Sequence, residues 1–180
     1  MVRLVRSFFD RLRGAWFGFS QGHDRLTTCQ LTDVLNRDAI FAAGERELKR
    51  AKRHGRWLGV VLLDLNDFKP INDQLGHDIG DEVLGEVGRV LRRCVRAEDH
   101  VGRKEGDEFL LIFPETDSQG LRSAMRRALY LVECELEVVG FSYGAHSQRF
   151  GKSSLETLAQ LIHLADEKMY KDKRVKRMGL

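Results

Sequence analysis

Hydrophobic and polar positions follow one another along the chain in blocks that predict an ordered series of strands and helices. Residues 57–63 form an almost continuous apolar run, which predicts a central strand buried on both faces. Another strand is predicted over 138–145, and residues 100–104 and 108–113 are predicted to pair as a hairpin that ends at Pro114. Four stretches have the periodicity of helices, namely 36–54, 81–95, 117–133 and 154–171.

The order of these elements predicts the fold class. With the helices on one face, a βα…ββαβ order is typical of an α+β sandwich of the ferredoxin type, built on an antiparallel sheet. The first helix is expected to be capped by Asn36 or Asp38, and residues 76–80 are expected to form a turn.

A separate amphipathic pattern lies ahead of these elements, over residues 2–18. Its arginines fall off an apolar stripe with a spacing of four, which consists of Leu4, Phe8, Leu12 and Trp16. Two interpretations stay open: the helix binds a membrane surface or a partner, or its stripe packs on its own domain or on a second copy of the chain. The short single stripe slightly favours packing on protein. Residues 1–28 are therefore interpreted as a helix followed by a linker.

Composition and charge narrow the class of protein. Of 180 residues, 42% are apolar, which is enough for the core of one domain, and no apolar run approaches the roughly 20 residues of a membrane helix. The net charge of +3 does not require a nucleic-acid partner, and the basic clusters lack the interleaved aromatic residues that bind single strands. Three widely spaced cysteines indicate a reducing compartment. We expect a cytoplasmic protein, with the inner face of the membrane as the alternative if residues 2–18 anchor it.

Three carboxylates lie at the ends of predicted strands. Asp64 follows the central apolar run, and Asp107 and Glu108 lie at a glycine turn between the two strands of the hairpin. Carboxylate oxygens are the ligands that hard divalent cations prefer, and cations held in this way commonly serve nucleoside triphosphates. The pattern therefore predicts metal-dependent phosphate chemistry.

Several motifs in a fixed order resemble one family. Residues 64–73 read Asp-Leu-Asn-Asp-Phe-Lys-Pro-Ile-Asn-Asp, and Gly76-His77, Gly80-Asp81 and then Lys-Glu-Gly-Asp-Glu-Phe at 104–109 follow. Together with matches in 31–37, 141–144 and 165–177, they resemble a GGDEF domain of the diguanylate cyclase family over residues 29–177, which leaves 178–180 as a tail. The resemblance implies a palm-type fold like that of nucleotidyl cyclases, an antiparallel sheet with helices packed around it.

The resemblance also implies a reaction and its partners. Two GTP molecules, one on each domain of a homodimer, would be joined with release of two pyrophosphates to give cyclic di-GMP. The reaction would require Mg²⁺ or Mn²⁺ as the cofactor.

Family roles can be carried over to matching positions. The metal would be bound by Asp64, the Leu65 carbonyl, Asp107 and Glu108, with Asp107 and Glu108 as the catalytic residues and Asp107 as the group that activates the 3′-hydroxyl. The substrate would be bound by Asn66, Asp67, Phe68, Lys69, Asn72, Asp81, Gly106, Lys173 and Arg177. Within this set, the Asp81 carboxylate and the Asn72 amide would read the guanine edge.

A second site is implied by Arg96 and Asp99, which have the R-x-x-D form at the family's distance ahead of the hairpin. In the family, this pair resembles an inhibitory site for the product, because an arginine can fork to a phosphate or stack on a guanine. The alternative is a local i,i+3 ion pair within a helix.

The chain departs from the family pattern in the motif itself and in the turn upstream. Glu105 replaces the first glycine of the motif, and a glutamate in a left-handed conformation there would cost about 1–2 kcal/mol. Lys104 is expected to offset its charge. Upstream, Cys29 replaces an aspartate. Asp33 replaces a glycine and Leu35 replaces a proline, and these two losses are expected to alter the turn. Three hypotheses stay open: a product-inhibited cyclase, a degenerate domain that binds cyclic di-GMP or GTP without turnover, and an interaction module.

Overall fold

The computed structural model describes residues 26–136 and 140–178. The amphipathic helix predicted over 2–18 lies outside the described residues, so its role stays a prediction. Helices and strands within the described residues follow in the order α1 (Arg37–His54), β1 (Trp57–Leu65), α2 (Phe68–Leu75), α3 (His77–Cys94), β2 (His100–Glu105), β3 (Glu108–Pro114), α4 (Ser118–Leu136), β4 (Phe141–Arg149) and α5 (Leu158–Arg177).

The predicted elements are present, and two boundaries differ in ways that shape the site. Residues 77–80, predicted as a turn, are helical, because the break falls at Gly76, whose φ of 89° ends α2 and starts α3. The short α2 was not predicted. The last helix starts at the Thr157 capping box and continues to Arg177, so most of the predicted basic tail is helical. At the start of α1, Asn36 is the cap, since its side chain accepts from the Ala39 N–H at 3.0 Å.

The four strands form one antiparallel sheet in the order β2-β3-β1-β4. As predicted, β1 is central and lies between β3 and β4, and all of it after Trp57 is buried. This order is that of a ferredoxin-like α+β fold, which confirms the predicted fold class.

Helices cover both faces of the sheet, so the prediction of helices on one face is wrong. Side chains at 61, 63 and 65 of β1 pack with residues of α3 and α4 in one core cluster. Side chains at 58, 60 and 62 pack with residues of α1 and α5 in a second cluster. Because neighbouring side chains of a strand point to opposite faces, a strand covered on both sides has to be apolar at every position. None of the helices in residues 26–136 and 140–178 is long and apolar enough to cross a membrane.

Candidate functional site

The three carboxylates predicted to act together lie at one end of the sheet. In the register of β1 against β3, Asp64 is directly opposite Glu108, and Asp107 is in the adjoining turn. The backbone N–H of Leu65 donates to the Asp107 carbonyl at 3.3 Å, which ties the turn to the end of β1. Directly opposed residues of an antiparallel pair are close neighbours on the same face. The sheet register therefore brings the three carboxylates together.

The site holds several negatively charged carboxylates close together. Burial raises the pKa of the Asp107 carboxyl above its ordinary value, and the negative charge of Asp64 raises it further, while Lys173 acts against the rise. Asp64 itself is buried. Two partly buried carboxylates that repel one another are stabilised by a nearby cation.

Two lysines supply positive charge in this arrangement. Lys173 of α5 donates from Nζ to Asp64 Oδ1 at 2.6 Å. Lys104 of β2 forms an ion pair with Glu108 across the hairpin turn. Lys104 was expected to offset Glu105, and this expectation is wrong, because its partner is Glu108.

The fit to a divalent metal rests on the chemistry of these donors. In the described part of the chain, no group of three or more His, Cys, Asp or Glu side chains is arranged as a metal site. Two of the expected ligands are held by lysines, and the repulsion between Asp64 and Asp107 marks a place for positive charge. Carboxylate and carbonyl oxygens are the donors that Mg²⁺ and Mn²⁺ favour. The donor atoms of these residues are therefore of the kind that binds such an ion, once Lys104 and Lys173 have moved away from the carboxylates.

The loop between β1 and α2 holds the residues predicted to bind phosphate. The Asn66 N–H donates to the Gly140 carbonyl at 2.9 Å, and its side-chain oxygen accepts from the Ser142 hydroxyl at 2.7 Å. Asp67 has a left-handed φ of 55° and precedes the first helical residue, Phe68. The amide of Asn66 is therefore engaged within the protein, whereas those of Phe68 and Lys69 belong to the first turn of α2, where N–H groups lack intrahelical acceptors.

The residues predicted to read a guanine lie on α2 and α3. Oδ1 of Asn72 is buried without a hydrogen-bond partner in the described residues. It is packed against Gly80, where a Cβ would lie 1.8 Å from this oxygen. Asp81 follows Gly80 and is exposed. An unpaired buried oxygen costs about 1–3 kcal/mol, which a donor from a ligand would recover.

The two residues of α5 that were predicted to bind phosphate differ in their contacts. Lys173 contacts Asp64 directly, as described above. Arg177 is four residues further on, at the end of α5, and is exposed. The structure thus brings Lys173 to the carboxylates and leaves Arg177 at the surface one turn away.

Glu105, the variant position of the motif, does not have a left-handed backbone conformation. Gly106 has a left-handed φ of 51°, whereas the non-glycine residues with positive φ in the described part of the chain are Asp33, Asp67 and Glu115. Glu105 is the last residue of β2, and its carboxylate lies 3.7 Å from Arg37 Nη1, with both side chains exposed. The predicted strain at Glu105 is therefore absent.

Sequence reasoning missed Arg103, which supports the turn. Its Nε donates to the Gly106 carbonyl at 2.8 Å, and its Nη1 lies 3.9 Å from Cys29 Sγ. Arg103 therefore links the segment before α1 to the turn that carries Asp107. The only available signal was an arginine two residues ahead of the motif.

The second predicted site coincides with a cavity of about 290 Å³. Arg96 and Asp99 line it and follow the end of α3, so the alternative of a pair within a helix is wrong. Asp99 Oδ2 accepts from the Arg96 N–H at 2.8 Å, while its Oδ1 is buried without a partner in the described residues. Burial raises the pKa of Asp99, and the hydrogen bond from the Arg96 backbone acts against the rise. Arg127 of α4, which the sequence did not indicate, lines the same cavity.

The sequence of this chain is similar to those of known proteins of one family. Residues 27–179 match the family model described as "Diguanylate cyclase, GGDEF domain". The chain is 34% identical over 148 residues to diguanylate cyclase DosC of Escherichia coli K12, which covers 80% of this chain and 32% of that protein. The chain thus spans about a third of the length of that relative.

Solved structures show the same fold. The GGDEF domain of DgcB from Caulobacter crescentus, in complex with c-di-GMP, superposes with a TM-score of 0.77 at 25% identity and covers 86% of this chain and 94% of that one. Diguanylate cyclase SiaD from Pseudomonas aeruginosa, in complex with its activator SiaC, gives a TM-score of 0.75 at 28% identity and covers 96% of this chain and 64% of that one.

Proposed function

Since the chain belongs to the diguanylate cyclase GGDEF-domain family, we propose that it joins two GTP molecules into cyclic di-GMP. Each 3′-oxygen forms a bond to the α-phosphorus of the other nucleotide, and each broken α–β bond releases pyrophosphate. The two nucleotides face each other on two copies of the domain, so the active form is a homodimer.

The observation that carries the proposal is the register that sets Asp64 opposite Glu108, with Asp107 in the adjoining turn. These carboxylates and the Leu65 carbonyl would hold Mg²⁺ or Mn²⁺. When bound, such ions neutralise a triphosphate and stabilise in-line displacement. Asp107, in the turn beside the metal ligands, would accept the proton of the attacking hydroxyl.

Recognition of GTP falls to side chains around this centre. The unpaired Oδ1 of Asn72 accepts from the guanine amine, and the exposed Asp81 carboxylate accepts from the guanine N1–H and disfavours adenine, which lacks that proton. Lys173 exchanges Asp64 for a phosphate oxygen, and Arg177 supplies further positive charge.

The test is product formation by the purified chain, stripped of bound nucleotide and incubated with GTP and Mg²⁺. We expect cyclic di-GMP by mass spectrometry from the wild type and from Glu45→Gln, an exposed glutamate of α1 that serves as the control. Glu108→Gln should yield none. Absence of product from wild type at high protein concentration would contradict the proposal, as would equal turnover by Glu108→Gln.

A second candidate function is binding of cyclic di-GMP at the cavity of Arg96 and Asp99. The cavity of about 290 Å³ and the unpaired Asp99 Oδ1 favour it, because a guanine donor would satisfy that oxygen and Arg96 would contact the phosphate. In an active enzyme, this site is inhibitory; without turnover, it makes the protein a receptor.

Calorimetric titration with cyclic di-GMP in EDTA separates these cases from the catalytic centre. We expect binding to the wild type and to Glu108→Gln, and a large loss of affinity in Arg96→Ala. Equal binding by Arg96→Ala would exclude this cavity as the site.

A further inference from the structure

Both of the opposed carboxylates are held by an ammonium group from a different element. Lys173 of α5 contacts Asp64, and Lys104 of β2 contacts Glu108. The side chains of Lys104 and Glu108 are only 23% and 27% exposed, so this pair is partly shielded from water. Salt and water screen such a pair less than a fully exposed one.

Lys104 contacts Glu108 at an irregular point of the hairpin. The ladder of β2 and β3 is irregular between Arg103 and Glu105, and Lys104 lies within this irregularity. The other charged side chains of β2 have partners elsewhere, since Arg103 donates to the Gly106 carbonyl and Glu105 faces Arg37. The ammonium of Lys104 therefore neutralises an expected metal ligand and leaves the added carboxylate of Glu105 to Arg37.

From this arrangement we infer that Lys104 is a competing counter-ion that the divalent metal must displace from Glu108, and that it sets the metal concentration at which the site fills. This inference rests on the proposed function, because it takes Glu108 to be a metal ligand. An ammonium and a metal ion beside the same carboxylate repel one another and compete for its negative charge, so each weakens the binding of the other. Lys173 opposes the metal at Asp64 in the same way, but it has a second task at the phosphates.

The competition has a measurable size. Ion pairs of intermediate exposure are worth enough to change a binding constant by about two- to fivefold. Removing the charge of Lys104 should therefore lower the dissociation constant of the metal by about that factor. A substitution that keeps the charge should leave it unchanged.

The experiment is a Mn²⁺ titration of the full chain without nucleotide, followed by the electron paramagnetic resonance signal of free Mn²⁺. Lys104→Met is compared with wild type, with Lys104→Arg, which retains the charge, and with Lys152→Met, which removes an exposed lysine before α5. We expect tighter binding by about two- to fivefold in Lys104→Met alone. Binding by Lys104→Met where the wild type shows none would support the inference equally.

Unchanged or weaker binding by Lys104→Met overturns the inference, and so does an absence of Mn²⁺ binding in all variants. Tighter binding in Lys104→Arg would overturn it too, because the shape of the side chain and not its charge would then be responsible. Failure of the proposed function is read separately: Glu108→Gln that binds Mn²⁺ like the wild type would remove Glu108 from the metal site, and product formation from GTP tests turnover directly.

Discussion

Gly144 of β4 is the position at which a single methyl group should disturb both the fold and the site. A Cβ there would lie 1.8 Å from the Ala165 carbonyl oxygen and 2.4 Å from the Met169 nitrogen, both of which are backbone atoms of α5. Rotation of a side chain cannot relieve such a contact. Gly144→Ala therefore has to push α5 away from the sheet.

The size of the effect follows from these distances. An ordinary carbon–oxygen contact is about 3.3 Å, so α5 would have to retreat by about 1.5 Å from its 1.8 Å position. Overpacking of a core costs about 1–3 kcal/mol, and a rigid backbone neighbour places this case at the upper end. The retreat also strains the contact of Lys173 with Asp64, since Lys173 is one turn beyond Met169.

Urea denaturation followed by circular dichroism measures the change in the free energy of unfolding. We expect a loss of about 2–3 kcal/mol in Gly144→Ala. The matched control is Gly151→Ala, where a Cβ meets nothing within 4 Å and φ is not positive; it should stay within about 0.5 kcal/mol of the wild type or gain slightly. A loss below about 0.5 kcal/mol in Gly144→Ala would refute the packing argument.

Three further substitutions test the site. Glu105→Gly should leave the free energy of unfolding within about 1 kcal/mol of the wild type or lower it, because no left-handed strain is relieved; a larger gain in urea denaturation would contradict this. Arg103→Met removes the hydrogen bond to the Gly106 carbonyl, so we expect urea denaturation to show a loss of about 1 kcal/mol in the free energy of unfolding and initial rates to show a roughly tenfold lower kcat/KM for GTP. Unchanged rates would mean that Arg103 does not support the turn. Asn72→Leu replaces an unpaired buried oxygen by an apolar group of similar shape, so the free energy of unfolding should stay the same or rise by up to about 1 kcal/mol, while the affinity for GTP should fall about tenfold. Retained affinity in an equilibrium binding assay would contradict the role of Asn72 in base recognition.

The sheet was predictable because its strongest signal is local. The run that begins at Trp57 has no polar interruption, and only a strand covered on both faces tolerates that pattern. The hairpin was predictable from its glycine turn. By contrast, α2 was missed although Phe68, Ile71 and Leu75 have helical spacing, because eight residues make only about two turns, which is shorter than the window over which a period is read.

The site was predictable as a set of residues but not as a set of contacts. Asp64 and Glu108 are 44 positions apart in the numbering, and a family pattern is enough to pair them. Their lysine partners depend on side-chain directions that the pattern does not contain: Lys173 comes from the far end of the chain, and Lys104 comes from an irregularity in a ladder. Arg127 likewise reaches the second cavity only through the packing of α4.

The two replaced glycines have opposite physical consequences, and this bears on whether the site is degenerate. Asp33 has a left-handed φ of 52°, so the cost of a side chain is present there, at a turn where aspartate is well tolerated and where Arg92 binds its carboxylate. Glu105 has no such conformation, and its side chain is 71% exposed, so water and salt screen the charge of its carboxylate. The turn keeps its required glycine at Gly106. Backbone strain at Glu105 is therefore no argument for a degenerate site. The only other effect of the replacement is an added negative charge, which solvent screens and which lies beside Arg37.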